Sequence, residues 1–224
     1  KRVKPNARLE EGQEVRVPPL AFEARPSDAP GTETKPLTKD EKKLFQSMIL
    51  HEDKDIYVLN KPAGLAVQGG TKTHRHVDGL LIGLGAELGE RPRLVHRLDR
   101  ETSGVLVVAR TRLAASKLAA SFRARTTRKI YWALVKGVPR PTQGRVSTWL
   151  ARDGGPAGEK MKVARHGDDD ASHAVSLYSV VDVAGQNLAW LTMRPVTGRT
   201  HQLRAHAAHI GHPIIGDSKY FETD

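Results

Sequence analysis

The chain has 224 residues, 38% of them hydrophobic, with no cysteine and 36 Lys and Arg against 25 Asp and Glu, a formal charge of +11. That is enough to bury one large core or two closely packed lobes, and the missing cysteine excludes disulfides, thiolate zinc sites and cysteine nucleophiles. The excess positive charge points to a polyanionic partner.

Residues 1 to 20, "KRVKPNARLEEGQEVRVPPL", are basic and hold one short alternating stretch before Pro18 and Pro19. Residues 21 to 41, rich in Pro, Thr, Asp and Glu, lack periodicity and read as a linker, so the main domain is expected over 42 to 224. A chain opening on Lys1 is expected to be part of a longer protein. No apolar run reaches bilayer length and no signal peptide opens the chain, which makes a cytoplasmic protein the default and gives no role to a membrane.

In chain order, "DIYVLNKPAG" predicts a buried strand ending in a Pro-Gly turn, and "HVDGLLIGLGAEL" a helix rich in glycine. "GVLVVAR" is a continuous apolar run, expected to be buried on both faces. "RLAASKLAASFRA" places Leu113, Leu118 and Phe122 at near-helical spacing. "KIYWALVKG", "GRVSTWL", "KMKVARH", "HAVSLYSVVDV" and "LAWLTMRPV" follow as strands separated by Gly and Asp clusters. "THQLRAHAAHIG" then predicts a helix with Thr200 as N-cap and Gly211 just past its end. Strands joined by short turns outnumber helices, which argues for an α+β fold with a largely antiparallel sheet.

Charge is concentrated in residues 91 to 131, which hold 11 Lys and Arg but only two acids. In their midst "LVHRLDRETSG" sets Asp99 between Arg97 and Arg100, on a loop that leads into the apolar strand. Nearby positive charge favours the ionised carboxylate. An isolated Asp–Arg pair would be an ordinary loop salt bridge. An ionised acid within a phosphate-attracting surface is a candidate for chemistry. His201, His206, His209 and His212 invite a metal reading, but no carboxylate or third ligand stands at a recognised offset, so no metal is expected there or at His74 and His76. Ser103, His96 and Asp99 share one loop, whereas nucleophilic triads are assembled from distant segments, and no G-x-S-x-G elbow is present.

"HRLDRETSG" (96 to 104) resembles the signature of the RluA family of pseudouridine synthases. "LNKPAGLAVQGG" (59 to 70), "RKIYWALVKG" (128 to 137) and "TGRTHQLRAHAAHIGHPIIGD" (197 to 217) agree in order and spacing, so the resemblance covers roughly residues 45 to 221. It implies the pseudouridine synthase fold, a largely antiparallel mixed sheet with flanking helices and a central RNA-binding cleft. It also implies an isomerase that needs neither metal nor organic cofactor. By resemblance Asp99 is the essential carboxylate, either attacking the nucleoside or removing a ribose proton. Arg204 is its cationic partner, and Tyr131 lies against the target base as a route for C5 proton removal. Leu203 is expected on the uracil face, unless it is simply core. Arg97 would fill the space left by a flipped nucleotide or hold its phosphate, and Arg199 and His201, beside Thr200, would bind a backbone phosphate at a helix N-terminus. His96 and Lys61 match family positions and are expected near the substrate, although a Lys-Pro turn also serves structure alone.

Residues 1 to 20 resemble only the final strand of the alpha-L type RNA-binding domain that opens many relatives. That remnant favours the RluC type, acting on large-subunit ribosomal RNA, over relatives that act on tRNA. Relatives also usually continue past "GDSKYF", and Gln68 stands where many have His. The alternatives are a synthase for tRNA or another ribosomal site, and a non-catalytic RNA-binding protein of ribosome assembly. A DNA-binding module has no recognition-helix motif behind it. A monomer is the default.

Overall fold

In the computed structural model, residues 35–70, 75–124, 126–154 and 160–221 are described. The expected N-terminal remnant and most of the expected linker lie outside them, as does His74. The fold begins earlier than position 42. Leu37 is buried, and helix α1 (Lys39–Met48) starts from a capping box in which Thr38 accepts from the Glu41 N–H while Glu41 accepts from the Thr38 N–H. That reciprocal pairing satisfies two backbone donors at the helix start, which a structureless linker would leave to water.

Strands β1 (Ile49–Glu52), β2 (Ile56–Lys61), β3 (Arg93–Leu94) and β4 (Gly104–Ala109) form a sheet in the order β1-β2-β4-β3. Helices α2 (Val77–Leu88) and α3 (Arg112–Arg123) belong to this half. Its core gathers Phe45, Tyr57, Leu59, Val77, Leu80, Leu81, Leu106 and Val108. β4 is not buried on both faces as its apolar run suggested. Leu106 and Val108 are fully buried, but Val105 is 56% exposed, because in an antiparallel sheet one face often meets water. α3 buries none of its residues completely, and Leu113 faces solvent. His76 caps α2 by accepting from the Gly79 N–H.

Strands β5 (Tyr131–Lys136), β6 (Gln143–Asp153), β7 (Lys160–Ala164), β8 (Ser172–Ala184) and β9 (Leu188–Pro195) make a second sheet, in the order β5-β9-β8-β6-β7. Every strand ladder described is antiparallel. Helix α4 (Gln202–His209) packs on this sheet, with Val135, Leu191, Met193 and Ala207 in one core cluster and Leu150, Ala174, Ala205 and Tyr220 in another. The N-cap is His201, not Thr200, and His201 holds a left-handed backbone at φ 50° with no side-chain cap. Only a minority of non-glycine residues adopt that conformation, and histidine is among the more tolerant.

Candidate active site

Asp99 sits on the loop between β3 and β4, and that loop is secured at both ends. On its C-terminal side the Lys61 ammonium, wholly buried, donates to the carbonyls of Pro62 (2.8 Å), Leu65 (2.8 Å) and Arg100 (3.0 Å). Three acceptors match the three protons of an ammonium, so its donors are all used. Burial pulls Lys61 down to about 8, against the opposing pull of Glu101 and Asp99, so it remains charged at neutral pH. The Gly64 N–H donates to the Arg100 carbonyl and the Arg100 Nε returns a bond to Gly64 O, which ties the Pro-Gly turn to the loop. Gly64 takes φ 82° there and Gly104, where the loop runs into β4, takes φ 119°. Both are backbone conformations that side-chain-bearing residues rarely adopt.

On the N-terminal side, His96 accepts the Val107 N–H at Nε2 (2.8 Å) and stacks on Phe122 at 4.5 Å. Burial, helped by the charge of Lys129, brings His96 down to about 4, so it is a neutral ring carrying its proton on Nδ1. Lys61 and His96 were expected near the substrate; in the structure Lys61 Nζ and His96 Nε2 hold backbone groups and so support the Asp99 loop.

Arg204, on α4, reaches Asp99 with Nη1 at 3.4 Å, a long contact for a charged pair. Its remaining face is committed to Asp217, Nε to Oδ2 and Nη2 to Oδ1, both at 2.7 Å. Asp217 also accepts from the N–H groups of Lys219 and Tyr220. Burial alone would push the Asp217 carboxyl up, but Arg204 and these N–H groups outweigh it and hold it below the usual range. Burial opposes the charge on Arg204, yet Asp217 and Asp99 together raise its pKa. The Arg204 guanidinium lies 5.1 Å from the centre of the Tyr220 ring, whose hydroxyl receives the Met161 N–H at 2.7 Å and contacts His201 Nδ1 at 3.1 Å.

α4 is itself fixed by buried polar groups. Gln202 accepts from the Thr197 hydroxyl (2.6 Å) and the Arg199 N–H (3.0 Å), and donates to Val175 O and Ser176 Oγ. His206 bonds Ser176 Oγ at 2.9 Å and Thr148 Oγ1 at 3.0 Å, and burial takes it down to about 4. The other candidates fall as follows. Tyr131 opens β5 and is raised first by burial and then by the charge of Asp99, so it stays protonated. Leu203 packs half-buried against the same core cluster as Tyr131. Arg97 is exposed, and Arg100, its fellow flanking arginine, turns to Gly64 and Glu101 and not to Asp99. Arg199 is exposed, with Nε on His173 O, whereas His201 is buried and contacts the Tyr220 hydroxyl. Among the described residues no three histidines or acids converge as a metal site.

The structure therefore joins Asp99 and Arg204, with Tyr131 within the electrostatic reach of Asp99, while Lys61 Nζ and His96 Nε2 are bonded to backbone and His201 to Tyr220. Asp217, Gln202 and Tyr220 escaped sequence reasoning. The "GD" of "IIGD" offered no periodicity, and a polar residue on a helix reads as solvent-facing.

A carboxylate kept beside, but not clamped by, an arginine, within an antiparallel α+β frame, fits the chemistry the four motifs suggested. Residues 55–209 match the family described as RNA pseudouridylate synthase, and the chain belongs to that family. Within it the chain is of the RluA and RluC type. It is 38% identical over 241 residues to "RNA pseudouridine synthase 4, mitochondrial" of Arabidopsis thaliana, covering 98% of this chain and 50% of that protein. It is also 38% identical over 179 residues to "Ribosomal large subunit pseudouridine synthase C" of Rickettsia bellii, covering 80% and 58%. Among solved structures, "Human RNA Pseudouridylate Synthase Domain Containing 4" superposes with a TM-score of 0.69 at 34% identity, over 81% of this chain and 72% of that one. The chain thus spans between 50 and 58% of the length of those two curated relatives.

Proposed function

We propose that this chain isomerises uridine to pseudouridine in RNA, with large-subunit ribosomal RNA as its substrate. The observation that carries the reading is the placement of Asp99. Its carboxylate faces one free arm of an arginine whose other two nitrogens are already held by Asp217. A fixed cation stabilises a nearby anion without consuming it, which suits an acid that must act in its ionised form.

The reaction breaks the bond from ribose C1′ to uracil N1, turns the base, and joins C1′ to C5. The proton on C5 then leaves, while N1 gains one. Asp99 serves the first step, by attack or by removal of a ribose proton, and Arg204 holds its charge in place. Tyr131 is protonated at rest, so it removes the C5 proton only by passing its own proton onward, and its ring offers a face to the base. The target uridine must leave its stack first, which costs a few kcal/mol. The excess positive charge of the chain supplies attraction to the strand that carries it.

The test is tritium release from large-subunit ribosomal RNA transcribed with 5-tritiated uridine, comparing the native chain with Asp99→Asn. Release by the native chain and a drop of at least about 10³-fold in the variant are expected. RNA binding without release would leave an RNA-binding protein of ribosome assembly. The name of the Rickettsia bellii relative supports the ribosomal substrate, and pseudouridine mapping in tRNA and ribosomal RNA after incubation discriminates it from tRNA.

A further inference from the structure

A cavity of about 450 Å³ lies where β6, β7 and the start of β8 meet the loop before α4, lined by Leu150, Arg152, Met161, Asp170, Ser172, Arg199 and Thr200. Two arginines approach it from different elements, Arg152 from β6 and Arg199 from the loop after β9. Among the described residues neither guanidinium meets a carboxylate within salt-bridge distance, Asp170 included. Arg199 spends only its Nε, on the His173 carbonyl. Like charges brought toward one space repel unless an anion joins them, and a planar guanidinium fork suits phosphate oxygens.

The cavity also has a defined relation to Asp99. Its wall residue Met161 donates its N–H to the Tyr220 hydroxyl, and Tyr220 lies beside Arg204, which touches Asp99. Lys160, at the start of β7, sits 5.6 Å from the centre of the same Tyr220 ring. The neighbouring acid Asp153, its partner across the ladder, instead approaches Lys162 at 3.9 Å. Arg204 and Lys160 thus share the Tyr220 ring, and Met161, next to Lys160 in the chain, lines the cavity with the two arginines, an order of cations suited to a nucleic-acid backbone.

We infer that this cavity receives a backbone phosphate of the RNA strand flanking the uridine presented to Asp99, held between the guanidinium groups of Arg152 and Arg199, with Lys160 as the next cation toward the reaction centre. The inference rests on the RNA reading above and gives it a specific contact outside the Asp99 constellation. It sets the register of the strand and not the chemistry, since phosphate contacts position a nucleic acid without reading its bases.

The experiment measures binding of the large-subunit ribosomal RNA transcript as a function of salt, in an Asp99→Asn background so that turnover plays no part. Arg152→Gln with Arg199→Gln is expected to weaken binding about 5- to 10-fold and to flatten the slope of log affinity against log salt by about 1. The charge-preserving pair Arg152→Lys with Arg199→Lys is expected to recover most of the slope. The comparison pair Lys43→Gln with Lys54→Gln, exposed on α1 and the β1–β2 turn, removes the same net charge elsewhere and is expected to change the slope less. Replacing chloride by inorganic phosphate at matched ionic strength is expected to weaken the parent more than the glutamine pair. An unchanged affinity and slope in the glutamine pair would overturn the inference, as would an equal loss in the comparison pair or equal sensitivity to phosphate. Tritium release by the chain carrying native Asp99 is scored separately, so a failed synthase reading and a failed phosphate site give different results.

Discussion

The two halves of the fold support the site in opposite ways. In the four-stranded half, charged and aromatic side chains grip main chain: Lys61 takes three carbonyls and His96 one N–H, and the Asp99 loop hangs between them. In the five-stranded half, side chains grip side chains: Asp217 holds Arg204, while Gln202, Thr197, Ser176, His206 and Thr148 form a connected set beneath α4. The difference follows from what each half carries. A loop has free backbone groups and must be pinned through them, whereas a helix has spent its own and is oriented through side chains. Both arrangements leave the reacting group itself lightly held, with the Asp99 to Arg204 contact at 3.4 Å. A functional group kept free on a rigid support is the expected design for chemistry that needs a fixed geometry.

The comparison breaks most sharply at Asp217. Replacing it by Asn strands the Arg204 charge in a nearly closed environment, where losing one partner of a buried pair costs about 3–5 kcal/mol. Arg204 then turns its full fork on Asp99 and clamps the carboxylate. Asp217→Asn is expected to lower both the denaturation midpoint and kcat, with Asp217→Glu recovering part of each. A normal kcat in a destabilised Asp217→Asn chain would show that the Arg204 geometry does not matter to the reaction.

Lys61→Met is the matching test of the other half. Methionine keeps the length and bulk of the side chain but leaves the carbonyls of Pro62, Leu65 and Arg100 without a donor, a loss of about 3 kcal/mol in denaturant unfolding. Activity falls with it, measured well below the unfolding midpoint, because the loop carrying Asp99 loses its anchor. A loss below about 1 kcal/mol would mean that water replaces the ammonium there.

These supports explain how far the sequence could be read. The apolar strands and α3 were legible because period and turn residues agree. The start of α1 was legible in principle, in the Thr38 to Glu41 spacing, yet it lay in a stretch whose Pro, Thr and acids resembled a linker. α4 was found as a helix, but its buried positions include Gln202 and His206, so its inward face reads as polar and its orientation is hidden. Arg204 and Asp217 lie 13 positions apart across a turn, with no pattern joining them. Asp99 stood out through its motif, while the roles of Lys61 and His96 depended on which backbone groups the fold brings to them.

Acid sharpens the comparison, because each half holds a histidine that burial keeps neutral, His96 in one and His206 in the other. His96 and His206 both sit near pKa 4 against an ordinary 6.5, so the unfolded chain binds the proton more readily. Their stabilising effect is complete above pH 6.5 and drains as pH falls toward 4, by about 3 kcal/mol for fully buried His206 and less for half-buried His96. Urea unfolding at pH 7 and pH 4.5 should show this loss, and His206→Gln, less stable at pH 7, should lose less on acidification. An acid sensitivity unchanged in His206→Gln would place the titrating groups elsewhere.

The smallest effect is expected on the surface of the Asp99 loop. Arg100 and Glu101 form an ion pair at 3.4 Å, but their side chains are 67% and 57% exposed. Solvent screens such a pair, and Glu101→Gln is expected to change stability by less than about 0.5 kcal/mol. The substitution still removes a negative charge that favours protonated Lys61, so its effect should be fully present near neutral pH and shrink as the pH rises through 8, where the buried amine loses its proton. A loss well above that at pH 6, where Lys61 is fully charged, would mean that the loop is held by its surface charges as well as by its backbone clamps, and the contrast between the two halves would narrow accordingly.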